Sequence, residues 1–369
     1  MIKTDGMGNN KEYEKKFTPN EKTKKVIAGI LASVSGVSGF VVASSIIGYD
    51  LFFKRYERPD YRITPGEYCY ERIKDRLTRS EFFYKTETSE LKGYYYPSAQ
   101  GKGLVVVVHG IHAGGDDYLP LIEYVVNHGY NVFSYNVTGT YESKGDSTVG
   151  MCQSLVDLDG TLTYLKSLPA FKNQPLFLIG HSWGGYAVTS VLELHKDIRA
   201  CAGIAPMNDG SKIMMETARR YAGELAVAPK PVFDAYQKIL FGKYVEYNGV
   251  RGINSVDIPV LIAQGKTDKV ITYDGHSITA HKAEITNPNV VYYDGYGLQG
   301  DHNNIWHSFE AAEYQNKVAE ELKALKKAKG KKLTIDEKAA YYRNVDHRLY
   351  SEVNEKLLSK IIEMFDKQL

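Results

Sequence analysis

The sequence predicts an α/β protein built on a doubly wound, mostly parallel sheet, and three observations carry that expectation. From Phe82 to the end of the chain, short runs rich in β-branched and apolar residues alternate with longer stretches of helical period. Runs such as LVVVVHG at 104–110 are apolar at almost every position, as a parallel strand covered on both faces requires. At 177–184 the run FLI passes straight into Gly180-His181-Ser182-Trp183-Gly184 and then into a helical stretch, so a strand ends in a turn that opens a helix.

Taken in order, the elements begin with a polar, Lys/Glu/Asn-rich tail over 1–25 that has no periodicity and reads as disordered. The stretch Val26–Tyr49 then carries no charge over 24 residues, long enough to cross hydrocarbon as a helix. A membrane-spanning signal anchor is the expectation, with a signal peptide cleaved near Val41-Val42-Ala43 as the alternative and a buried helix as the third reading. Lys11, Lys15, Lys16, Lys22, Lys24 and Lys25 precede this stretch, whereas Lys54, Arg55, Arg58 and Arg62 follow it. That bias favours an inside N-terminus and a body facing outward, either membrane-anchored or, after cleavage, secreted. Residues 50–81 mix charges with aromatic side chains and read as a stalk resting loosely on the body.

The body is expected over 82–369. Its strands are FFYKT, LKGYYYP, LVVVVHG, NVFSYNV, PLFLIGHS, IRACAGIAP, PVLIAQG and NVVYYDG, and its helices include LPLIEYVVNHG, SLVDLDGTLTYLKSL, AVTSVLELHK and HSITAHKAEI. From about Asn208 to Val256 the alternation breaks, and a segment containing Met214, Met215, Tyr221, Phe233 and Tyr236 stands where a short link would do. A helical cap is expected there, its apolar side chains suited either to an acyl or aromatic ligand group or to attaching the cap to the body. A charged helix follows over Phe309–Lys327. Thr334 with Glu337 three residues on forms a capping box, and Val345, Leu349, Val353, Leu357 and Ile361 mark one final helix.

Composition narrows the partners. Apolar residues at 43% and charged residues at 24% exclude a disordered chain and a polytopic membrane protein. With 46 basic against 44 acidic residues the formal charge is +2, so no field favours nucleic acid and none is expected as a partner. Cys69, Cys152 and Cys201 form no CxxC pair, which excludes a zinc ribbon or disulfide scaffold by spacing. His109 and His112 have no carboxylate cluster or third ligand near them in sequence, so neither metal nor cofactor is expected.

The chemistry centres on Ser182. A serine displayed on so sharp a strand-to-helix turn needs glycine at both flanking positions, because a Cβ there would clash, and Gly180 and Gly184 supply them. The helix N-terminus behind it favours developing negative charge. With these residues the chain, from about Phe82 on, resembles the α/β-hydrolase family, in particular its capped esterase, lipase and serine-aminopeptidase-like members. The motif order HG, G-x-S-x-G, acid, histidine carries the resemblance.

That resemblance implies Ser182 as nucleophile, Asp268 in Gln264-Gly265-Lys266-Thr267-Asp268 as the acid, and His302 in Gly300-Asp301-His302 as the base. Asp209, one strand earlier, is the alternative acid, and His307 is expected to be structural. The oxyanion donors implied are the N–H groups of Ile111, after His109-Gly110, and of Trp183. The activity implied is ester cleavage through an acyl-enzyme on a small-molecule or lipid-like substrate. Amide cleavage as a serine peptidase or aminopeptidase is the alternative, and a non-catalytic membrane-associated binding protein the third reading.

Overall fold

The alternation of apolar runs along the chain becomes one eight-stranded sheet. The computed structural model describes residues 25, 37–210, 212–214 and 230–369. The strands are β1 (Ser80–Lys85), β2 (Glu90–Tyr96), β3 (Leu104–Val108), β4 (Asn131–Tyr135), β5 (Leu176–His181), β6 (Ala200–Ile204), β7 (Val260–Gly265) and β8 (Val290–Gly295). They lie in the order β1-β2-β4-β3-β5-β6-β7-β8. β1 and β2 pair antiparallel with each other, as do β2 and β4, and every pairing from β4 across to β8 is parallel. Every residue of β3 through β7 is buried, the signature of strands covered on both faces. The carboxyl ends of β3 and β5 lie side by side where the strand order reverses, the place where such sheets put their ligand crevice.

Side chains alternate across the sheet with period two. Val105, Val107, Phe177 and Ile179 join the cluster that holds Leu119, Leu121, Ile122 and Val125 of α2 (Leu119–Asn127) and Leu357, Leu358, Ile361, Ile362 and Phe365 of α10 (Glu355–Asp366). Leu104, Val106, Val108 and Leu178 face the other way. There they meet α3 (Gln153–Ser167), α4 (Trp183–Ser190) and the last turns of α1 (Val37–Phe52). Each buried Leu, Ile or Phe contributes roughly 1.5–3 kcal/mol of burial free energy, so these two layers dominate the stability.

Four expectations change. First, the uncharged stretch ending at Tyr49 does not end outside the body. Ile46, Tyr49 and Phe53 are buried in the same cluster as Met151, Trp183 and Tyr186. Residues 26–36 lie outside the described residues, and among the described residues no helix is long and apolar enough to cross a membrane. Second, residues 50–81 are packed rather than loose. Ile73 and Leu77 are buried, Arg58 and Arg79 converge on Asp116 at 2.7 and 2.8 Å, and Arg76 reaches Glu67 and Glu123 at 2.7 Å each. The charges that suggested a solvated stalk have counter-charges waiting on the body.

Third, the final helical stripe is not one helix: Leu349 lies in α9 (His347–Ser351) and Leu357 and Ile361 in α10, while Val345 and Val353 fall outside both helices. The chain breaks between them because the Asn354 side chain accepts from Leu357 N–H and caps α10, while Val353 bridges to His307. The charged helix α7 (Phe309–Lys329) and the capping box of α8 (Ile335–Tyr342) form as expected. The stretch from His276 to Ile285 forms only 3₁₀ turns. Fourth, the described residues of the insertion between β6 and β7 are largely helical, but its last helix, α6 (Gly249–Asn254), lies on α4. A Cβ on Gly252 would sit 2.0 Å from the Thr189 carbonyl oxygen, so the two backbones touch there. The cap helix α5 (Lys230–Phe241) packs on α1 instead. The Tyr49 ring lies 5.4 Å from Tyr236 and 6.1 Å from Phe233, and the Tyr236 hydroxyl donates to Asp50 at 3.0 Å. Met215 and Tyr221 lie outside the described residues.

Candidate active site

Ser182 stands between β5 and α4 with φ 56° and ψ −114°, a backbone that L-residues rarely adopt and that costs about 1–3 kcal/mol. Its N–H donates to the Ile204 carbonyl at 2.8 Å and its carbonyl accepts from Tyr186 N–H at 3.0 Å, so both sides of the strained residue are tied down. The flanking glycines are obligatory. A Cβ on Gly180 would lie 2.2 Å from the Gly184 carbonyl oxygen, and one on Gly184 would lie 2.1 Å from that of Val108. The motif therefore fits because strand β3, helix α4 and the turn meet at van der Waals limits.

The two loops that follow β7 and β8 bring the partners together. Gly265 lets the Gly300 carbonyl approach where a Cβ would be 2.1 Å away, and Thr267 N–H donates to that carbonyl at 3.1 Å. Across this contact His302 places Nδ1 2.7 Å from Asp268 Oδ2 and Nε2 2.9 Å from Ser182 Oγ. Asp268 Oδ1 accepts from the N–H groups of Val270 and Ile271 at 2.8 and 2.9 Å, and Oδ2 accepts from Gln264 Nε2 at 2.9 Å. Because the carboxylate accepts, Nδ1 carries the imidazole proton and Nε2 turns its lone pair toward the serine hydroxyl. All three side chains are buried.

Of the two acids considered, Asp268 is the one on His302. Asp209 accepts from Lys212 N–H at 3.2 Å instead. His307 is held at Nδ1 by the Glu352 carbonyl and at Nε2 by the Tyr68 hydroxyl, each at 3.3 Å, and burial pushes its pKa down to about 4. It is a structural histidine.

His109 closes the end of β3. Its Nε2 accepts from Val137 N–H at 2.9 Å, so the proton is on Nδ1, which donates to the Gly110 carbonyl at 2.7 Å. Burial pushes its pKa down to about 4, which keeps the ring neutral in this role. The Gly110 carbonyl and the Ile111 N–H belong to one trans peptide and point in opposite directions, so His109 orients the Ile111 N–H by holding the far end of its plane. The loop lies close over the nucleophile, since a Cβ on Gly110 would be 3.5 Å from Ser182 Cβ. Trp183 opens α4, and the N–H of a first helical residue has no acceptor inside its own helix. Beyond Ile111 the loop meets α1. His112 Nε2 is 3.2 Å from the Phe52 carbonyl, and its ring stands 5.5 Å from Phe52 and 5.6 Å from Tyr56.

The structure thus brings Ser182, Asp268 and His302 into one hydrogen-bonded chain and sets the loop carrying Ile111 beside it. Sequence reasoning passed over Tyr118, His181 and Gln264. Gln264 stood in the quoted acid loop and His181 at the variable position of the serine motif, whereas Tyr118 carries no local signal.

Residues 99–241 match the family model described as serine aminopeptidase, S33. The chain is 27% identical over 206 residues to the uncharacterized protein YfhR of Salmonella typhi, covering 52% of this chain and 64% of that one. Against YfhR of Escherichia coli K12 it is 27% identical over 202 residues, covering 52% and 63%. The chain therefore spans less than two thirds of these relatives. Among solved structures it resembles the esterase Pf2001 of Pyrococcus furiosus, with TM-score 0.52 and 20% identity over 74% of this chain and 98% of that one. It also resembles Est1E of Butyrivibrio proteoclasticus, determined with ferulic acid bound, with TM-score 0.51 and 16% identity over 78% and 98%. At such identities these two share the fold.

Proposed function

We propose that this chain, which belongs to the α/β-hydrolase superfamily, is a serine hydrolase that cleaves an ester through an acyl-enzyme on Ser182. The observation that carries the proposal is the unbroken chain from Ser182 Oγ to His302 Nε2 at 2.9 Å and from His302 Nδ1 to Asp268 Oδ2 at 2.7 Å. His302 takes the proton as Ser182 Oγ attacks the carbonyl, Asp268 holds the tautomer and stabilises the imidazolium, and the N–H groups of Ile111 and Trp183 receive the oxyanion. His302 then returns the proton to the leaving alcohol, and a water repeats the sequence to release the acid.

An ester is favoured over an amide by the likeness in fold to Pf2001, a protein named as an esterase, and an apolar acyl or aromatic group by the side chains near the elbow. Tyr49, Phe233 and Tyr236 of α1 and α5 form an aromatic group that packs with Met151 and Trp183. The serine-aminopeptidase description of the matching family model favours a second reading, amide cleavage. Initial rates on p-nitrophenyl acetate, butyrate and octanoate against aminoacyl p-nitroanilides separate the two. Ester turnover that disappears in Ser182→Ala is expected, and turnover confined to the anilides would replace the ester reading with the peptidase one.

The uncharged stretch before Ser44 supports a further part of the proposal, that the N-terminus anchors the body to a membrane. With Ile46 and Tyr49 held in the body, the mouth of the site would lie at the bilayer surface and face lipid-like esters. The full chain should then stay with membrane vesicles through an alkaline carbonate wash; release into the supernatant would contradict the anchor.

A further inference from the structure

Two buried side chains, Tyr118 and His181, join the loop that carries Ile111 to the loop that carries His302. Gly110 N–H donates to the Tyr118 hydroxyl at 3.0 Å, that hydroxyl is 2.7 Å from His181 Nδ1, and His181 Nε2 is 3.0 Å from the His302 carbonyl oxygen. The two ends fix the direction of every bond, because an N–H only donates and a carbonyl only accepts. Tyr118 accepts from Gly110 and gives its one proton to His181 Nδ1, which leaves the His181 proton on Nε2, aimed at His302. Burial supports this state by pushing the His181 pKa down to about 3, so the ring is neutral, with one donor and one acceptor. The Tyr118 ring is held in turn by Trp306, four residues after His302, stacked at 5.6 Å and 18°.

We propose that Tyr118 and His181 are positioning residues that hold the oxyanion loop and the base loop in one register over Ser182. The proposal rests on the reading of Ser182 as nucleophile. With His109 Nδ1 on the Gly110 carbonyl and Tyr118 on the Gly110 N–H, both peptide planes flanking Gly110 are clamped. The base loop is clamped through the backbone of His302 itself. Neither residue meets the substrate. Their effect falls on the reacting geometry, where small displacements cost rate and leave ground-state binding nearly alone.

The test measures ester turnover by the purified full chain per Ser182 titrated with a fluorophosphonate, so that loss of folded protein does not count as loss of rate. Tyr118→Phe keeps the ring and its stacking on Trp306, His181→Leu removes both ring nitrogens, and His181→Gln restores one donor and one acceptor. Tyr118→Phe and His181→Leu are each expected to lower kcat about 10- to 100-fold with KM changed less than about 2-fold. His181→Gln should recover most of the loss, and the double variant Tyr118→Phe/His181→Leu should be no slower than His181→Leu alone, as links of one chain require. Wild-type kcat in Tyr118→Phe would overturn the proposal, as would a double variant whose loss is the product of the single losses. Should His181→Leu fail to fold, Tyr118→Phe alone decides between these outcomes. A wild-type chain not labelled at Ser182 would overturn the nucleophile reading and the proposal with it, a result distinct from wild-type rates in the variants.

Discussion

At the scale of single residues, the site is a set of close approaches that leave little freedom for replacement. Gly184→Ala would drive a Cβ to 2.1 Å from the Val108 carbonyl oxygen, so it should destabilise the fold by more than about 3 kcal/mol, read as a large fall in Tm. Asp268→Asn should preserve Tm within a few degrees and lower kcat by about 10,000-fold, because the amide no longer enforces the Nδ1–H tautomer of His302. Asp209→Asn should stay within a few-fold of wild type. Equal losses in the two variants would remove Asp268 from its assigned role. Ser182 was legible because its constraints are local, two glycines and a strand-to-helix transition within five residues. Asp268 and His302 were legible through the motif order of the family resemblance, which preferred Asp268, but setting Asp209 aside required the distance across the sheet. Tyr118 was not legible at all, since its partners, Gly110, His181 and Trp306, are joined to it only by the fold.

At the scale of elements, α1 departs furthest from the sequence reading. In an uncharged run a helix face cannot be told from a span, because small and apolar residues occupy every side and the spacing of Ile46, Tyr49 and Phe53 has no polar background to stand against. A chain shortened to begin at Leu51 loses Ile46, Tyr49 and the Asp50–Tyr236 hydrogen bond. It should therefore be less stable by about 4 kcal/mol in urea unfolding than one beginning at Val37. Equal stability of the two would show that α1 is not part of the body. The break between α9 and α10 has a similar origin. Apolar residues at a spacing of four continue through it, so periodicity ran across a boundary that the Asn354 cap sets. The eight strands, by contrast, stood out individually, β3 through β7 because strands covered on both faces are largely apolar; their order in the sheet did not.

At the scale of the whole molecule, buried ionisable groups link the fold to pH. His109, His181 and His307 are held near 4, 3 and 4, below the value of about 6.5 for an unfolded histidine. The unfolded chain therefore binds more protons in that window. The stability these residues allow is complete above about pH 6.5 and lost as pH falls toward 4. Asp117 and Asp157 oppose this, because burial raises both to about 6, and they favour the folded state as pH falls from 6 toward the ordinary aspartate value. With three histidines against two aspartates, urea midpoints should decline from pH 7 to pH 4.5, and Asp157→Asn should steepen the decline. A shallower decline in that variant would reverse the assignment. The hydrolase reading spans the same whole, since β3, β5, β7 and β8 each deliver one part of the site to one end of the sheet. Intact-mass measurement after brief exposure to a fluorophosphonate tests it most directly. One adduct mapped to Ser182, abolished in Ser182→Ala and strongly slowed in His302→Ala, is the predicted result, whereas an unlabelled wild-type chain, or labelling that persists in Ser182→Ala, would contradict it.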